Sequence, residues 1–253
     1  MSIAKQYFIC TYEDLYMAPK NQKSDTEISK LLIEVALKHV VFDGWSNDLL
    51  DRIVSDTGVG MEKVLEIFPR GSIDIAIAFH SRDDDRFNEM FLKSDYNDAS
   101  LRIRDRIYEA IKMRLKVAQV NREAVKRSLA LFSNPAYLSD GSRAIWITSD
   151  TIWNLLGDQS DDLNWYSKRF ILCSVLVSTL IIWIDDDSFQ QKETHEFILR
   201  RINDVMSFER YKGHLKTVPI IGDIFKSLEK IPKHSGNWRQ DFPGWNLKFN
   251  KHT

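Results

Sequence analysis

The prediction of the fold rests on residues 24–69, which read SDTEISKLLIEVALKHVVFDGWSNDLLDRIVSDTGVGMEKVLEIFP. The stretch begins with a capping box at Ser24 to Glu27, in which the serine and glutamate side chains satisfy backbone N–H groups at a helix start. From Ile28 to Val40, apolar residues then recur at the spacing of one helix face. These two features predict a first helix that buries one face.

Two further short helices are predicted before Pro69. Gly44 interrupts the first apolar pattern, and Ser46 or Asn47 can cap a second helix. A turn at Thr57-Gly58-Val59-Gly60 separates it from a third helix, which Pro69 ends. Three short helices with a glycine turn between the second and third have the organisation of a helix-turn-helix module.

Longer helical patterns follow this head, without strand alternation of useful length. They cover about 71–94, 100–119, 121–133, 141–156, 162–186 and 190–211, and Pro219 can open one more helix. We therefore predict an all-α protein. We divide it into a loosely ordered segment (1–23), a helix-turn-helix-like head (24–69), a helical bundle (70–211), and an amphipathic helix with a basic aromatic tail (212–253).

The composition excludes several classes of protein. Of 253 residues, 43% are hydrophobic and 28% are charged, which is typical of a globular protein and not of a disordered chain. Only 10 Gly and 6 Pro occur, which favours long helices. Cys10 and Cys173 have no Cys-x-x-Cys spacing, so we expect neither a disulfide scaffold nor a cysteine-built zinc site.

The motifs of common enzyme classes are missing from the sequence. No histidine has a glutamate three residues before it, as a di-iron bundle would need. Three acid runs occur, at Asp83–Asp85, Asp161–Asp162 and Asp185–Asp187. The position four residues after Asp83, and after Asp185, is phenylalanine, and the pattern Asp-Asp-x-x-Asp is absent, so we interpret the runs as solvated helix ends and caps. No Gly-x-Ser-x-Gly or Walker sequence occurs. We therefore predict a protein that is not an enzyme and has no catalytic residue, metal or cofactor.

The charge of the head argues against DNA recognition. Between Ser46 and Phe68, five acidic residues stand against two basic ones, and this surface would repel phosphates. Arg70 could still contact a phosphate. We interpret the helix-turn-helix as architecture and expect no nucleic-acid partner.

The most apolar run extends from Phe170 to Ile184 without a charged residue. Its fifteen residues are fewer than the roughly 18–20 that span a bilayer, so we predict a fully buried core helix. Together with tryptophans on the preceding helix, it could enclose a solid core or a cavity. The candidate residues for lining such a cavity are Trp146, Trp153, Phe170, Cys173, Val177, Leu180 and Ile181.

The predicted last helix combines an apolar stripe with a basic surround. Residues 210–253 hold nine Lys and Arg against three Asp and Glu. Such a helix can lie in a membrane interface or can pack on the bundle, and the aromatic residues of the tail favour the interface. The candidate membrane-binding residues are Ile220, Ile221, Ile224, Phe225 and Leu228.

A second candidate surface lies at Asp162 to Arg169, which read DLNWYSKR. Trp, Tyr and Arg together are typical of binding hot spots. A helix start with a buried tryptophan is the equally open alternative.

Several segments resemble the lipid-binding accessory protein family of coenzyme Q (ubiquinone) biosynthesis. They are 36–45 (ALKHVVFDGW), 65–71 (LEIFPRG), 101–104 (LRIR), 157–169 (GDQSDDLNWYSKR), 183–188 (WIDDDS) and 200–206 (RRINDVM). The resemblance covers about residues 25–210 and is most specific at 157–169. Val41 and Phe189 stand where the family commonly has proline, which affects turns more than function.

The resemblance implies a tetracycline-repressor-like fold that does not regulate through DNA. It implies a homodimer that holds an isoprenoid, quinone precursor or phospholipid in an apolar cavity, and an amphipathic helix near the C-terminus that engages the membrane. It also implies that the protein presents quinone intermediates to the demethoxyubiquinone hydroxylase. The family's partner-binding patch corresponds to Asp162, Trp165, Tyr166 and Arg169.

We therefore predict a non-enzymatic lipid-binding protein of ubiquinone biosynthesis. It takes isoprenoid quinone intermediates from the membrane and presents them to the demethoxyubiquinone hydroxylase. Its expected partners are this hydroxylase, membrane phospholipids and a second copy of the chain. The N-terminus shows no targeting peptide, so we expect a location in a bacterial cytoplasm, peripheral to the inner membrane. The alternative is a transcriptional regulator of the tetracycline-repressor type with an apolar ligand.

Overall fold

The computed structural model describes residues 24–160 and 163–215, and this part of the chain contains α-helices, two short 3₁₀ helices and no strand. The all-α prediction is therefore confirmed. The α-helices are α1 (Asp25–Asp43), α2 (Asn47–Thr57), α3 (Met61–Ile67), α4 (Ser72–Leu92), α5 (Ile103–Gln119), α6 (Arg122–Phe132), α7 (Leu138–Leu155), α8 (Leu163–Trp183) and α9 (Lys192–Leu215).

The head is formed by α1, α2 and α3, and its helices begin and end where local chemistry predicts. The capping box is present, since Ser24 Oγ accepts from the Glu27 N–H at 3.3 Å and Glu27 Oε2 accepts from the Ser24 N–H at 2.9 Å. Ser46 caps α2 in the same way. Gly58 ends α2 with φ of 69°, a left-handed conformation that favours glycine.

The head packs directly on the bundle through α4. Trp45, between α1 and α2, lies against Phe79 of α4 with the ring centroids 6.0 Å apart, and its carbonyl oxygen accepts a hydrogen bond from the Ser72 hydroxyl. Within the bundle, α4 contacts α5 and α7, α7 contacts α8, and α9 closes against α5 and α8. One continuous apolar core therefore joins head and bundle.

The interpretation of Asp83–Asp85 as a solvated helix end is wrong. The run lies in the middle of α4, and Asp83 and Asp84 are buried. Asp84 is bound there by Arg114 of α5 and by Thr148 of α7, which the spacing of residues within α4 could not reveal. Burial raises the pKa of both carboxyl groups, and the guanidinium of Arg114 opposes that shift.

The third acid run acts as a cap at Asp186, as predicted, but Asp186 is buried, so the prediction of a solvated side chain is wrong there. Its carboxylate accepts from the Ser188 N–H at 2.9 Å and from the Thr194 N–H at 2.8 Å, next to the start of α9. Burial opposes ionisation, but these hydrogen bonds outweigh it and hold the pKa of Asp186 below its usual range. Residues 161–162 lie outside the described part of the chain.

The prediction of a fully buried helix over Phe170–Ile184 is also wrong. On α8, Leu172, Leu176 and Trp183 are buried, but Phe170 is 69% exposed and Ile181 is 56% exposed. Of the helices that the structure describes, the segment Asn164–Trp183 is the one that is long and apolar enough to cross a membrane. Because one face of it is built into the core, the simpler interpretation is a bundle helix with a second apolar stripe that the described part of the chain leaves exposed.

Candidate functional site

An apolar pocket of about 280 Å³ lies between α5, α7, α8 and α9. Trp153 of α7 and the aliphatic side chains of the other three helices form most of its wall. The lining residues are Ile103, Ile107, Trp153, Asn164, Ser167, Lys168, Ile171, Leu172, Val175, Ile202 and Val205. The few polar groups among them come from the first turns of α8, so one end of the pocket is polar.

A second pocket of about 410 Å³ adjoins the first and is more polar than it, so we call it the polar pocket. It is lined by the loop after α7, Leu156 to Ser160, and shares Ile103, Trp153 and Lys168 with the apolar pocket. The two pockets therefore meet at one isoleucine, one indole and one ammonium group. This arrangement suits a molecule with an apolar tail and a polar head.

Lys168 is held in place at this junction by three contacts. Its Nζ lies 2.7 Å from Asp158 Oδ1 and 2.6 Å from Ser160 Oγ, and 5.3 Å from the centroid of the Trp153 ring. The Trp153 Nε1–H donates to the Lys168 carbonyl oxygen at 3.1 Å. The indole and the ammonium group are thus positioned by the same helix turn.

The neighbouring residue, Arg169, is the centre of a buried ion-pair network. Its side chain is 1% exposed. Its Nε lies 2.7 Å from Asp150 Oδ1, and its Nη1 donates to Asp158 Oδ2 at 3.0 Å and to the Trp165 carbonyl oxygen at 3.2 Å. Its Nη2 donates to Asn154 Oδ1 at 3.3 Å. The network joins the end of α7, the loop after it and the first turns of α8.

Asp158 links the pocket to this network because it binds both cations. Its two carboxylate oxygens accept from Lys168 and from Arg169, and its Oδ1 also accepts from the Ser160 hydroxyl at 2.8 Å. Burial would raise the pKa of Asp158, but the hydrogen bonds from Lys168, Ser160 and Arg169 outweigh it and hold the pKa below its usual value. Asp158 is therefore ionised at neutral pH.

The predicted partner-binding residues are mostly interior. Trp165 is 6% exposed, packs on Trp146 with the ring centroids 6.0 Å apart, and covers the Arg169 guanidinium at 3.9 Å. Tyr166 contacts the Trp165 ring edge-on and is half-buried. Asp162 lies outside the described residues. The structure therefore gives Trp165 and Arg169 a packing role, and a substitution of either tests the fold as well as any partner contact.

Of the seven predicted lipid-binding residues, only Trp153 lines the apolar pocket. Trp146 is buried against Trp165, and Leu180 packs on the core. Phe170, Val177 and Ile181 lie on the exposed stripe of α8 instead. The stripe that does line the pocket comprises Asn164, Lys168, Ile171 and Val175, spaced by four, three and four residues. This spacing was readable in the sequence, but the walls from α5 and α9 were not.

Cys173 is not suited to nucleophilic chemistry. Its thiol lies 3.7 Å from the Ile145 carbonyl oxygen, and burial raises its pKa to about 11. Among the residues that the structure describes, no three His, Cys, Asp or Glu side chains come together as metal ligands.

The candidate phosphate contact Arg70, and Lys63 of the head, both form ion pairs within the chain. Arg70 Nη1 lies 3.1 Å from Asp140 Oδ2, and Arg70 Nε donates to Asp74 at 2.9 Å. On α3, Lys63 is shared between Asp25 at 2.8 Å and Glu66 at 3.0 Å. The predicted membrane-binding residues, Ile220, Ile221, Ile224, Phe225 and Leu228, lie outside the described residues.

Comparison with known proteins confirms the resemblance to the coenzyme Q family. A family model described as COQ9 matches residues 138–209. The chain is 23% identical to the probable ubiquinone biosynthesis protein coq9, mitochondrial, of Dictyostelium discoideum, over 82% of this chain and 68% of that protein. It is 23% identical to the ubiquinone biosynthesis protein COQ9, mitochondrial, of Rattus norvegicus (78% and 65%), and 21% identical to that of Homo sapiens (78% and 64%). The matched region thus spans about two thirds of these relatives' own length.

The fold is similar to that of a solved TetR transcriptional regulator from Nitrosomonas europaea. The TM-score is 0.56 at 16% sequence identity, over 70% of this chain and 96% of the regulator. This likeness confirms the predicted tetracycline-repressor-like architecture, with α1 to α3 as the helix-turn-helix head. The chain is therefore similar to the COQ9 ubiquinone biosynthesis proteins and has a fold similar to that of a TetR regulator.

Proposed function

We propose that this protein acts in ubiquinone biosynthesis as a non-enzymatic lipid-binding protein. In this proposal it takes an isoprenoid quinone intermediate from the membrane and presents it to the demethoxyubiquinone hydroxylase. The single observation that carries the proposal is the apolar pocket beside α8, which opens next to the polar pocket at Lys168. The similarity to COQ9 proteins supplies the pathway.

The physical reason for such a protein is the insolubility of its cargo. Each methylene that leaves an apolar environment for water costs about 0.8 kcal/mol, so a polyprenyl quinone does not leave the bilayer unaided. A pocket walled by isoleucine, leucine, valine and tryptophan lowers that cost for the part of the molecule it holds. This function needs no catalytic residue.

Blocking the pocket tests the proposal. Ile103 lines both pockets, yet it is 39% exposed at the start of α5, so a larger side chain there can fill the junction without disturbing the core. We expect Ile103→Trp to lower the amount of bound isoprenoid or quinone at least tenfold, which corresponds to about 1.4 kcal/mol of binding free energy. Mass spectrometry of lipids extracted from the purified protein measures this amount.

The matched control is Leu101→Trp. Leu101 is 40% exposed, precedes α5 by two residues and lines neither pocket, so this variant should retain its lipid. Equal lipid content in the two variants would place any lipid elsewhere on the protein. A wild-type protein that carries no isoprenoid above bulk membrane lipid would refute the proposal.

The exposed stripe of α8 supports a homodimer. Phe170, Val177 and Ile181 recur at i, i+7 and i+11 on the solvent side, and no charged residue interrupts this stripe. A stripe of this kind on one helix can pair with its own copy about a two-fold axis, as helix bundles do. We therefore propose that a second copy of the chain covers it.

Charging the stripe should separate the two subunits. We expect the double variant Phe170→Lys with Ile181→Lys to sediment as a monomer at concentrations where the wild type is a dimer, because two lysines per copy would have to be buried without partners. Phe42→Lys on α1, where Phe42 is 81% exposed, is the control and should leave the dimer intact. A double variant that stays dimeric would show that another surface pairs the subunits.

Tyr166 is the described residue of the motif that can reach a protein partner. It is half-buried, whereas Trp165 and Arg169 are interior. We expect Tyr166→Ala to weaken binding of the hydroxylase by about thirtyfold (roughly 2 kcal/mol) while the thermal melt is little changed. Biolayer interferometry with the purified hydroxylase measures this. The exposed Phe189→Ala is the control, and equal affinity of both variants would remove the patch from the interface.

A peripheral membrane location belongs to the same proposal. The relatives named above are mitochondrial proteins. The location in a bacterial cytoplasm stays a prediction. Liposome flotation of the full chain, compared with an Ile224→Asp and Phe225→Asp variant, tests the membrane-binding residues, and unchanged flotation would refute their role.

A transcriptional regulator with an apolar ligand is the second candidate, and the TetR-like fold is what favours it. Lys63 and Arg70 already bind carboxylates of the same chain, which argues against phosphate contacts by the head. Specific duplex binding that weakens steeply with salt would establish this candidate.

A further inference from the structure

The two pockets meet at a cation whose charge is already balanced. Lys168 lies beside Asp158, which also binds Arg169, and Arg169 binds Asp150. Two carboxylates thus face two cations, and the cluster has no net charge. The Asp150 carboxylate, the Asp158 carboxylate and the guanidinium are all at least nine-tenths buried, so bulk water screens these three charges weakly, whereas the Lys168 side chain is 38% exposed and faces the pocket.

Among the described residues that line the two pockets, Lys168 is the one cation, and Asp158 already balances its charge, so an anionic head group would find no spare cation in the pocket wall. A phosphate entering beside Lys168 would also lie close to the ionised Asp158, and placing a charge in a partly dehydrated site without its own partner is costly. A head group with an uncharged oxygen atom does not carry this energetic cost. The ammonium group has three N–H donors, of which Asp158 and Ser160 take two, so the third can donate to a ligand oxygen.

We propose that the Lys168–Asp158 pair is the specificity determinant of the site, and that it selects an uncharged, oxygen-bearing head group over a phosphate. This inference rests on the proposed function, since it takes the two pockets to hold one amphipathic molecule. The tail occupies the apolar pocket, and the head lies at Lys168 in the polar pocket.

The size of the apolar pocket limits how much of the tail it can hold. Its volume is about 280 Å³, whereas a cavity of about 150 Å³ is enough to bind benzene. The pocket therefore accepts a short segment of a prenyl chain next to the head. Short-chain probes that carry two isoprene units are suitable for measuring this site.

The first test compares two probes with the same tail in the wild-type protein. One is a dimethoxy-methyl-benzoquinone with a geranyl chain, and the other is geranyl monophosphate. We expect calorimetry to show at least about tenfold tighter binding of the quinone, the effect of one hydrogen bond to a charged donor and of the uncompensated phosphate. Equal binding, or tighter binding of the phosphate, would overturn the inference.

The second test adds a cation to the junction. Gln159 is exposed and lines the polar pocket, so Gln159→Lys gives the neutral cluster a spare positive charge without touching the core. We expect the affinity for geranyl monophosphate to rise about tenfold relative to the affinity for the quinone. The control is Ser81→Lys, at an exposed position on α4 that lines neither pocket. It adds the same charge to the protein and should change neither the affinity for the phosphate nor the affinity for the quinone.

The third test removes the ammonium group. Lys168→Met keeps an apolar stem of similar length and should weaken quinone binding about tenfold, whereas Lys126→Met, which breaks an exposed ion pair with Asp185, should not. Gln159→Lys remains decisive if Lys168→Met does not fold. If Gln159→Lys leaves the phosphate affinity unchanged while Ile103→Trp still blocks quinone binding, the specificity determinant is refuted and the proposed function stands. If neither probe binds the wild type, both are refuted.

Discussion

Replacing Arg169 by methionine should lower the free energy of unfolding by about 3–5 kcal/mol, which is the usual cost of removing one partner from a buried ion-pair network. The guanidinium is 1% exposed and binds Asp150, Asp158 and Asn154 together with the Trp165 carbonyl oxygen. Without it, Asp150 keeps only the amide of Asn154, at 3.1 Å, as a hydrogen-bond donor among the described side chains. A buried carboxylate without its cation is the main source of the loss.

The substitution of Arg169 also removes a packing contact at the start of α8. Arg169 Cζ lies 3.9 Å from the centroid of the Trp165 ring, so the indole covers the guanidinium and loses a contact with it in the variant. Urea denaturation followed by far-ultraviolet circular dichroism measures the effect. We expect the urea concentration at the midpoint of unfolding to fall, whereas the dependence of the free energy of unfolding on urea concentration should change little.

The control for Arg169 is an arginine in an exposed pair. Arg201 lies 2.8 Å from Asp204 on α9, with both side chains about half exposed or more. Solvent-exposed pairs contribute about 0–1 kcal/mol, so Arg201→Met should have a small effect. Similar effects of the two substitutions would show that the Arg169 network does not stabilise the fold. Loss of hydroxylase binding in Arg169→Met, without the same loss in Tyr166→Ala, would report on the fold and not on a direct contact.

Replacing Arg114 by leucine should cost a similar amount, about 3–5 kcal/mol, because it isolates the carboxylate of Asp84 in the core. Arg114 Nε lies 2.7 Å from Asp84 Oδ1, and the Thr148 hydroxyl lies 2.9 Å from Asp84 Oδ2. Thr148 alone cannot balance the charge. The double variant Asp84→Leu with Arg114→Leu should be less destabilised than Arg114→Leu, since it removes the buried charge together with its partner.

The cost of Arg114→Leu should also depend on pH. Burial already raises the pKa of Asp84 against the opposing effect of Arg114, and loss of the guanidinium lets that pKa rise further. When the pKa of a carboxyl group is higher in the folded state than in the unfolded state, the folded protein holds the proton more tightly. The free energy of unfolding therefore falls as the pH rises through the pKa of the folded state. The difference in stability between wild type and variant should therefore be smaller at about pH 5 than at about pH 8.

Urea titrations at both pH values measure this difference. Lys126→Met, in the exposed pair with Asp185, is the control and should show a small effect at either pH. A double variant that is as unstable as the sum of its single variants would show that Asp84 and Arg114 do not act as a pair.

Local patterns in the sequence determined much of the fold. Ser24 and Glu27 form the predicted capping box, Gly58 takes the left-handed conformation that ends α2, and Asp186 caps the region before α9. These features depend on groups within a few residues of one another, so the sequence shows both partners at once. The helix order, the head and the resemblance to the coenzyme Q family follow from the same kind of local information.

The candidate site depended on partners that are far apart in the chain. Asp84 is buried because Arg114 and Thr148, thirty and sixty-four residues away, approach it from two other helices. Trp165 and Arg169 resemble a surface hot spot in the sequence, but Asp150 and Trp146 of α7 make them interior. The positions of charged residues along one helix do not reveal which side chains of other helices will pair with them.

The face of α8 that lines the pocket was likewise decided by tertiary structure. The sequence by itself determined that α8 is a long apolar helix, because hydropathy is a property of the residues alone. Its several apolar stripes have similar composition, and only the docking of α5, α7 and α9 separates the stripe with Ile171 and Val175 from the exposed stripe with Phe170 and Ile181. Burial is set by which helices pack on which face, and that is a property of the whole chain.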